Sequence, residues 1–311
     1  EVVTVVVGNF DDDPNDDEAV VFSVVKPPGK SGYLAALLYD FPRPQLAPVL
    51  LGTADLGNQA MLFAAAAGTV HPLGSDGDAL AFGAVTLNNS DGITGRYLYI
   101  ANEDDAITTV VDTAERRVVA QIDVGVEPEG MAVSHDGRWA VTTSETTNMV
   151  HWIDTATHEI VANTLVAQRP RYARFSADDR LLWATSEIGG AVTVIDAATH
   201  EPVHEVRFAI PGVAQDLVQP VGLRLSRDGT KAFVALGPAN RVAVIDTTTF
   251  AVEKYLLVGR RVWHLDLTPD GSTLLTTNGL TNDVSVIDVA SLEVVRSTPV
   301  GRMPWGVAVR P

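Results

Sequence analysis

One phrase recurs along this chain: apolar residues, then aspartate, then threonine, alanine or valine. It reads TTVVDTA, VHWIDTA, VTVIDAA, VAVIDTT and VSVIDVA, with its aspartate at Asp112, Asp154, Asp196, Asp246 and Asp288. The spacings are 42, 42, 50 and 42 residues. A repeat of that length is one supersecondary unit that cannot bury its apolar face alone, so neighbouring units must stack. Helical repeats would need long stretches of 3.6-residue apolar periodicity, which are absent. Each unit instead holds several short β-rich runs separated by turn residues, as in the four-stranded blades of propellers. The chain is therefore expected to be all-β.

Residues 130 to 167 show a whole unit: an inner strand GMAVS, the turn HDG, then RWAVTTS, MVHWIDT, the polar turn ATHE and the outer strand IVANTLVA. ADD at 177–179, RDG at 227–229 and PDG at 269–271 occupy the place of HDG, where Asp and Gly accept hairpin dihedrals that most residues resist. A carboxylate repeated in every unit is scaffold rather than site, and the recurrent aspartate is read as a turn cap that holds backbone amides. Clear repeats begin at RYLYIAN, residues 96–102. Residues 1–95 have room for two more units: VTVVVGN, AVVFSVV and YLAALLYDF for one, then APVLLGT and AMLFAAAA for the next. The chain ends on MPWGVAVRP, an inner strand without its three companions. Pairing it with the N-terminal strands closes a ring and removes two exposed edges. The expectation is one domain over residues 1–311: a seven-bladed β-propeller of four-stranded antiparallel blades. Residues 1–95 supply two divergent blades, and 96–311 supply five regular repeats plus the closing strand.

Composition narrows the partners. With 22 basic against 39 acidic residues the net charge is -17, which repels nucleic acid and anionic membranes. There is no cysteine, so disulfides, thiolate metal sites, a nucleophilic thiol and covalent c-type haem attachment are excluded. The most apolar run, AMLFAAAAGTV at 60–70, falls well short of the ~20 residues a spanning helix needs, and no membrane span is expected. The chain opens on EVVTVVV without a basic leader, as in the mature form of an exported protein.

IANEDD (100–105), GVEPEGMAVS (125–134), SETTNMVHWIDTATHEIVAN (144–163), SEIGGAVTVID (186–196), QPVGLRLSRDG (219–229), ALGPANRVAVID (235–246) and NGLTNDVSVIDV (278–289) carry a family likeness. The chain resembles the YVTN-type β-propeller repeat proteins, and over residues 96–311 it is similar to the PQQ-dependent catabolism-associated β-propeller family. The resemblance implies a seven-bladed, periplasmic or extracellular bacterial protein linked to pyrroloquinoline quinone-dependent alcohol oxidation, with a quinoprotein dehydrogenase or other redox protein as partner. It transfers no catalytic residues. Residues 1–95 depart from the pattern, where FDDDPNDDE and KPPGKSGYLAALLYDFPRPQ interrupt the YVTN units. Quinoprotein dehydrogenases themselves resemble larger eight-bladed propellers with a vicinal cysteine pair. This chain has neither feature, so no cofactor of its own is expected.

In a blade running from inner to outer strand, the loop between strands two and three shares one face with the connection into the next inner strand. Such loops converge around the axis, where propellers place their ligands. Aligned connections give one ring of Glu127, Arg169, Gln219, Arg261 and Met303, and two residues on a second ring of Glu129, Arg171, Val221, Trp263 and Trp305. Next come Gly130, Tyr172, Gly222, His264 and Gly306. The other loops add Glu103, Glu145 and Glu187, with Gly237 and Gly279 at the matching positions. These positions change charge and size from blade to blade, which suits recognition of something asymmetric. Arg169, Arg171, Arg260 and Arg261 are placed to bind carboxylates, and Trp263 or Trp305 to stack on a planar group, so a small anionic or aromatic ligand is one expectation. A collar of ion pairs across the channel mouth is the other.

His264, with cations and an indole as neighbours, is the histidine most suited to proton transfer. No histidine pair has metal-ligand spacing, and no metal site is assigned. The run from Asp11 to Glu18 has oxygen ligands enough for calcium but lacks EF-hand spacing, and reads as a solvated acidic loop. The insertion FAIPGVAQDLVQP, 208–220, accounts for the longer spacing and is a candidate lid or docking loop. No Ser-His-Asp signature, phosphate loop or nucleotide fingerprint occurs. The leading expectation is a non-enzymatic binding or accessory propeller. A lactonase-like hydrolase using channel His, Arg and Glu, and a surface-layer or assembly subunit, are the alternatives.

Overall fold

The computed structural model describes residues 97–112 and 117–309, together with six N-terminal strands. Those strands are β1 (Val3–Gly8), β2 (Glu18–Val25), β3 (Tyr33–Asp40), β4 (Val49–Asp55), β5 (Leu62–Phe63) and β6 (Ala81–Phe82). They are followed by β7 (Tyr97–Asn102), β8 (Ile107–Asp112) and β9 (Arg117–Asp123). Four regular units follow: β10 (Pro128–Val133), β11 (Trp139–Ser144), β12 (Met149–Asp154), β13 (Glu159–Leu165); then β14 (Pro170–Phe175), β15 (Leu181–Ser186), β16 (Ala191–Asp196), β17 (Pro202–Arg207). Next come β18 (Leu223–Leu225), β19 (Lys231–Ala235), β20 (Arg241–Asp246), β21 (Val252–Leu257), then β22 (Val262–Leu267), β23 (Thr273–Asn278), β24 (Asp283–Asp288), β25 (Glu293–Pro299). The closing strand is β26 (Pro304–Val309).

Six sheets result among the described residues. The four regular units are each a four-stranded antiparallel meander, as the sequence period predicts. β5 to β9 form a five-stranded sheet, and β26 joins β1 to β4 in another. The expected pairing of the two chain ends is present, but β26 runs parallel to β1. The segment APVLLGT, expected to begin a second blade, instead supplies β4, which pairs antiparallel with β3 in the first sheet. Of AMLFAAAA, the described pair Leu62–Phe63 runs parallel to Ala81–Phe82. The candidate calcium run from Asp11 lies outside the described residues apart from Glu18, at the start of β2.

Burial explains why one unit cannot stand alone. Trp139, Val141, Val150 and Trp152 of one sheet share a core with Ala173, Phe175, Leu182 and Ile195 of the next. The same sharing joins that second sheet to the third through Trp183, Val192, Leu223 and Val234, and the third to the fourth through Phe233, Val244, Leu265 and Leu274. Second strands such as β11 are buried throughout, whereas outer strands such as β13 alternate. Inner strands pack in sequence order, β10 on β14, β14 on β18, β18 on β22 and β22 on β26. The recurrent aspartate caps its turn: Asp154 accepts the amides of Ala156 and Thr157 at 2.9 and 3.1 Å, Asp196 those of Ala198 and Thr199 at 2.9 Å each, and Asp246 those of Thr248 and Thr249 at 3.0 and 2.7 Å.

Candidate functional site at the axial loop face

The backbone that carries the first ring is nearly constant while its side chains vary. Glu127, Arg169, Arg261 and Met303 all have positive φ, between 51° and 60°. A side chain in that region costs on the order of 1 kcal/mol, so something must hold it. An asparagine on the neighbouring loop does so: Asn148, Asn240 and Asn282 accept the amides of Arg169, Arg261 and Met303 at 2.8 to 2.9 Å. These asparagines precede the third strands in TTNM, PANR and LTND, a repeated signal present in the sequence. The carbonyls of Glu127, Arg169 and Arg261 in turn accept the amides of Glu145, Glu187 and Gly279 at 2.8 to 2.9 Å. The sheets of β10–β13, β14–β17 and β22–β25 thus each staple one residue of the first ring to one residue of the loop between their second and third strands.

Opposite charges then meet. Glu145 receives Arg169 Nε at 2.5 Å and Arg171 Nη1 on its other oxygen. Glu187 receives Arg261 Nη2 at 3.1 Å, with Arg169 Nε at 3.5 Å and Arg171 Nε at 3.8 Å. Glu129 Oε2 lies 2.8 Å from Arg171 Nε. That contact is off the N–H direction, leaving both atoms without a directed hydrogen bond. Burial, and then a hydrogen bond to Glu145, push the Glu129 carboxyl well above the usual carboxylate range. Burial also works to raise Glu145, but the bond from Glu129 and the charges of Arg171 and Arg169 carry it below its ordinary value. Glu103 is raised by burial and by the charge of Glu145.

The aromatic residues complete the cluster. The indoles of Trp263 and Trp305 lie with centroids 4.0 Å apart. Arg261 sits 4.1 Å over Trp263, and Arg171 sits 5.6 Å from the centroid of Trp305. A closed circuit follows, from Arg261 through Trp263, Trp305, Arg171 and Glu187 back to Arg261. Arg171 is on β14 and Trp305 on β26, with two whole sheets between them in the sequence, so these contacts span the axis. Gly279 makes room for the circuit, because a Cβ there would lie 2.8 Å from Trp263 Nε1. The stacking surfaces and guanidinium groups expected to receive a ligand are thus largely engaged with one another.

Beneath lies a layer that loop alignment alone does not reveal. Arg224 Nε bonds Asp266 at 2.8 Å, and a second nitrogen bonds the Tyr172 hydroxyl. Asp266 also accepts the amide of Val309 on the closing strand at 2.9 Å. His264 has Tyr172 edge-on at 5.5 Å and Trp305 at 5.8 Å. Burial, then the charges of Arg224 and Arg171, lower its pKa to about 3, so the imidazole is neutral at ordinary pH. Burial and the nearby Arg224 also lower Arg174. Ala132, Arg174, Arg224 and Asp266 share one inner-strand register, and charges at that register were the available signal. The alternation of Gly130, Tyr172, Gly222 and His264 has a steric reason. A Cβ on Gly222 would lie 2.7 Å from Trp263 O and 2.8 Å from His264 Cα, so small residues let neighbouring inner strands approach while large ones fill the axis.

Glu103, Glu129, Glu145, Arg169, Arg171, Tyr172, Glu187, Arg261, Trp263, His264 and Trp305 thus come together. Gln219 joins them by accepting from Arg261 at 3.1 Å. It lies at the end of the 208–220 insertion, whose Phe208, Ile210 and Val218 are buried in the core shared by two sheets. Glu127 stays exposed at the rim, bonded to the Thr146 hydroxyl. Arg260 is also exposed, and its backbone amide bonds Thr281 at 3.0 Å. No group of three His, Cys, Asp or Glu side chains suited to a metal occurs among the described residues.

The described architecture is that of a β-propeller whose axis is filled at one face by a charged and aromatic cluster. A family model, the Cytochrome D1 heme domain, matches residues 81–164. Hydrazine synthase of Kuenenia stuttgartiensis is a solved structure with a similar fold: TM-score 0.62, 16% identity, covering 91% of this chain and 87% of that one. No curated protein matches the chain. In the described part of the matched segment, the titratable side chains at the axial face are the carboxylates Glu103, Glu127, Glu129 and Glu145. Its histidines are used elsewhere: His135 pairs with Asp179 at 2.7 Å, His151 is closed in by Gly125, Ser144 and Asn163, and His158 packs under Tyr97 and Tyr99. These residues do not fit the ligation of a haem iron. No helix among the described residues is long and apolar enough to cross a membrane.

Proposed function

We propose that the protein is a non-enzymatic, extracytoplasmic binding or accessory propeller that docks a redox protein, such as a PQQ-dependent alcohol dehydrogenase, through its axial loop face. The observation that carries this reading is a loop backbone repeated in several blades whose first-ring residues change charge and size, through Glu127, Arg169, Gln219, Arg261 and Met303. A constant frame presenting varied chemistry suits recognition of an asymmetric partner. Because Arg169, Arg171 and Arg261 are engaged by glutamates, the partner meets the rim residues Glu127 and Arg260 first, and a small ligand would have to displace an ion pair. The PQQ link and the location outside the cytoplasm rest on the family resemblance of residues 96–311, and the count of seven blades on the 42-residue period.

A hydrolytic role for His264 has little geometry behind it. Asp266, the carboxylate whose charge acts on the ring, gives its oxygens to Arg224 and to the Val309 amide. The test is direct binding of purified PQQ-dependent alcohol dehydrogenase, measured by interferometry. Binding should weaken at least tenfold in the double variant Glu127→Lys/Arg260→Glu and fall with salt. Equal binding by the variant, no binding by the native chain, or a lactone turnover lost in His264→Ala would overturn the reading.

A further inference from the structure

We infer that a second copy of this chain docks on the axial loop face, in a face-to-face dimer about a two-fold axis. This goes beyond the proposed docking role, because a second copy on that face would compete with the redox protein for it. The distribution of exposed apolar side chains points there. Val126, Ile188, Leu217, Leu280 and Met303 stand exposed in loops of this face, and Leu165 and Leu257 end fourth strands at the same rim. The other exposed large apolar residues lie on outer strands, and none described lies in the turns of the opposite face. Four of the five loop residues adjoin or belong to the stapled frame: Val126 precedes Glu127, Ile188 follows Glu187, Leu280 follows Gly279, and Met303 belongs to the first ring; Leu217 lies in the 208–220 insertion. A ring of apolar groups held in fixed loops around a charged centre resembles half an interface more than a solvated surface.

Charge selects the occupant. Exposed Asp104, Asp105, Asp123 and Glu127 come from loops and strand ends of the β7–β9 and β10 region, whereas exposed Arg260 and Arg302 come from the loops into β22 and β26. The sheets of β14–β17 and β18–β21 separate the two groups. A uniformly basic partner would suit the net charge of -17 but would meet Arg260 and Arg302. A second copy, turned about a two-fold axis lying along the boundary, places the acidic side of each face on the basic side of the other.

The full chain is measured by sedimentation velocity at tens of micromolar. The native chain should be dimeric, and Ile188→Asp/Leu280→Asp should raise the dissociation constant at least tenfold with an unchanged circular dichroism spectrum. Asp104→Lys/Asp105→Lys and Arg260→Glu/Arg302→Glu should each be monomeric alone, and an equimolar mixture should recover a species of twice the mass. A monomeric native chain, a dimer indifferent to the apolar substitutions, or a mixture that stays monomeric would overturn the inference. A monomeric native chain that still binds the dehydrogenase through this face would overturn the dimer while leaving the docking role intact.

Discussion

His264 offers a measurement that reaches into the axial cluster without a ligand. Burial, with Arg224 and Arg171 nearby, holds its pKa at about 3 against an ordinary value of 6.5. A histidine depressed on folding binds its proton more readily in the unfolded chain, so its contribution to stability is complete above the unfolded pKa. That contribution is lost as pH falls from about 6.5 towards 3. At pH 4.5 the unfolded chain has gained about two units of protonation advantage, which at ~1.36 kcal/mol per unit is ~2.7 kcal/mol. His264 is only partly buried, so ~1.5–2.5 kcal/mol is the expectation after allowing for solvent screening. His264→Gln cannot titrate in this range. At pH 7.5 the variant should be ~1 kcal/mol less stable, because Gln packs less well between Tyr172 and Trp305. As pH falls to 4.5 the gap should close and then reverse. Urea unfolding followed by tryptophan fluorescence measures it, and comparison with the variant removes acid effects shared with Asp178, Asp270 and the other histidines. A native-minus-variant difference that stays constant from pH 7.5 to 4.5 would refute a neutral, cation-flanked His264.

Other perturbations probe the same frame. Asp266→Ala strands the Arg224 guanidinium and should cost ~3–5 kcal/mol by thermal or urea unfolding, whereas Arg224→Met/Asp266→Leu should cost clearly less, because no charge is left unpaired. Gly279→Ala pushes a Cβ into the Trp263 indole and should cost ~1–3 kcal/mol, with a shift in tryptophan emission that Gly137→Ala, in an open turn, does not produce. Asn240→Gly keeps a residue tolerant of positive φ but removes the acceptor for the Arg261 amide, and should cost ~1 kcal/mol in urea unfolding.

The repeat alone determined the all-β class, the four-stranded unit, the turn role of the recurrent aspartate and the face on which variable residues gather. These are local properties: a period, an alternation and a turn residue act within a few tens of residues, and each unit repeats the message. Which variable residues pair was decided only by the packing of inner strands around an axis, because Arg171 and Trp305, or Arg261 and Glu187, are distant in sequence and meet across it. The sequence placed Arg169, Arg171 and Arg261 at the face where loops converge, but tertiary structure set glutamates against them. It also brought Arg224 and Asp266 together from separate inner strands and laid β26 parallel to β1. Long-range electrostatics and strand pairing depend on distances between units, and no single copy of a repeat encodes them.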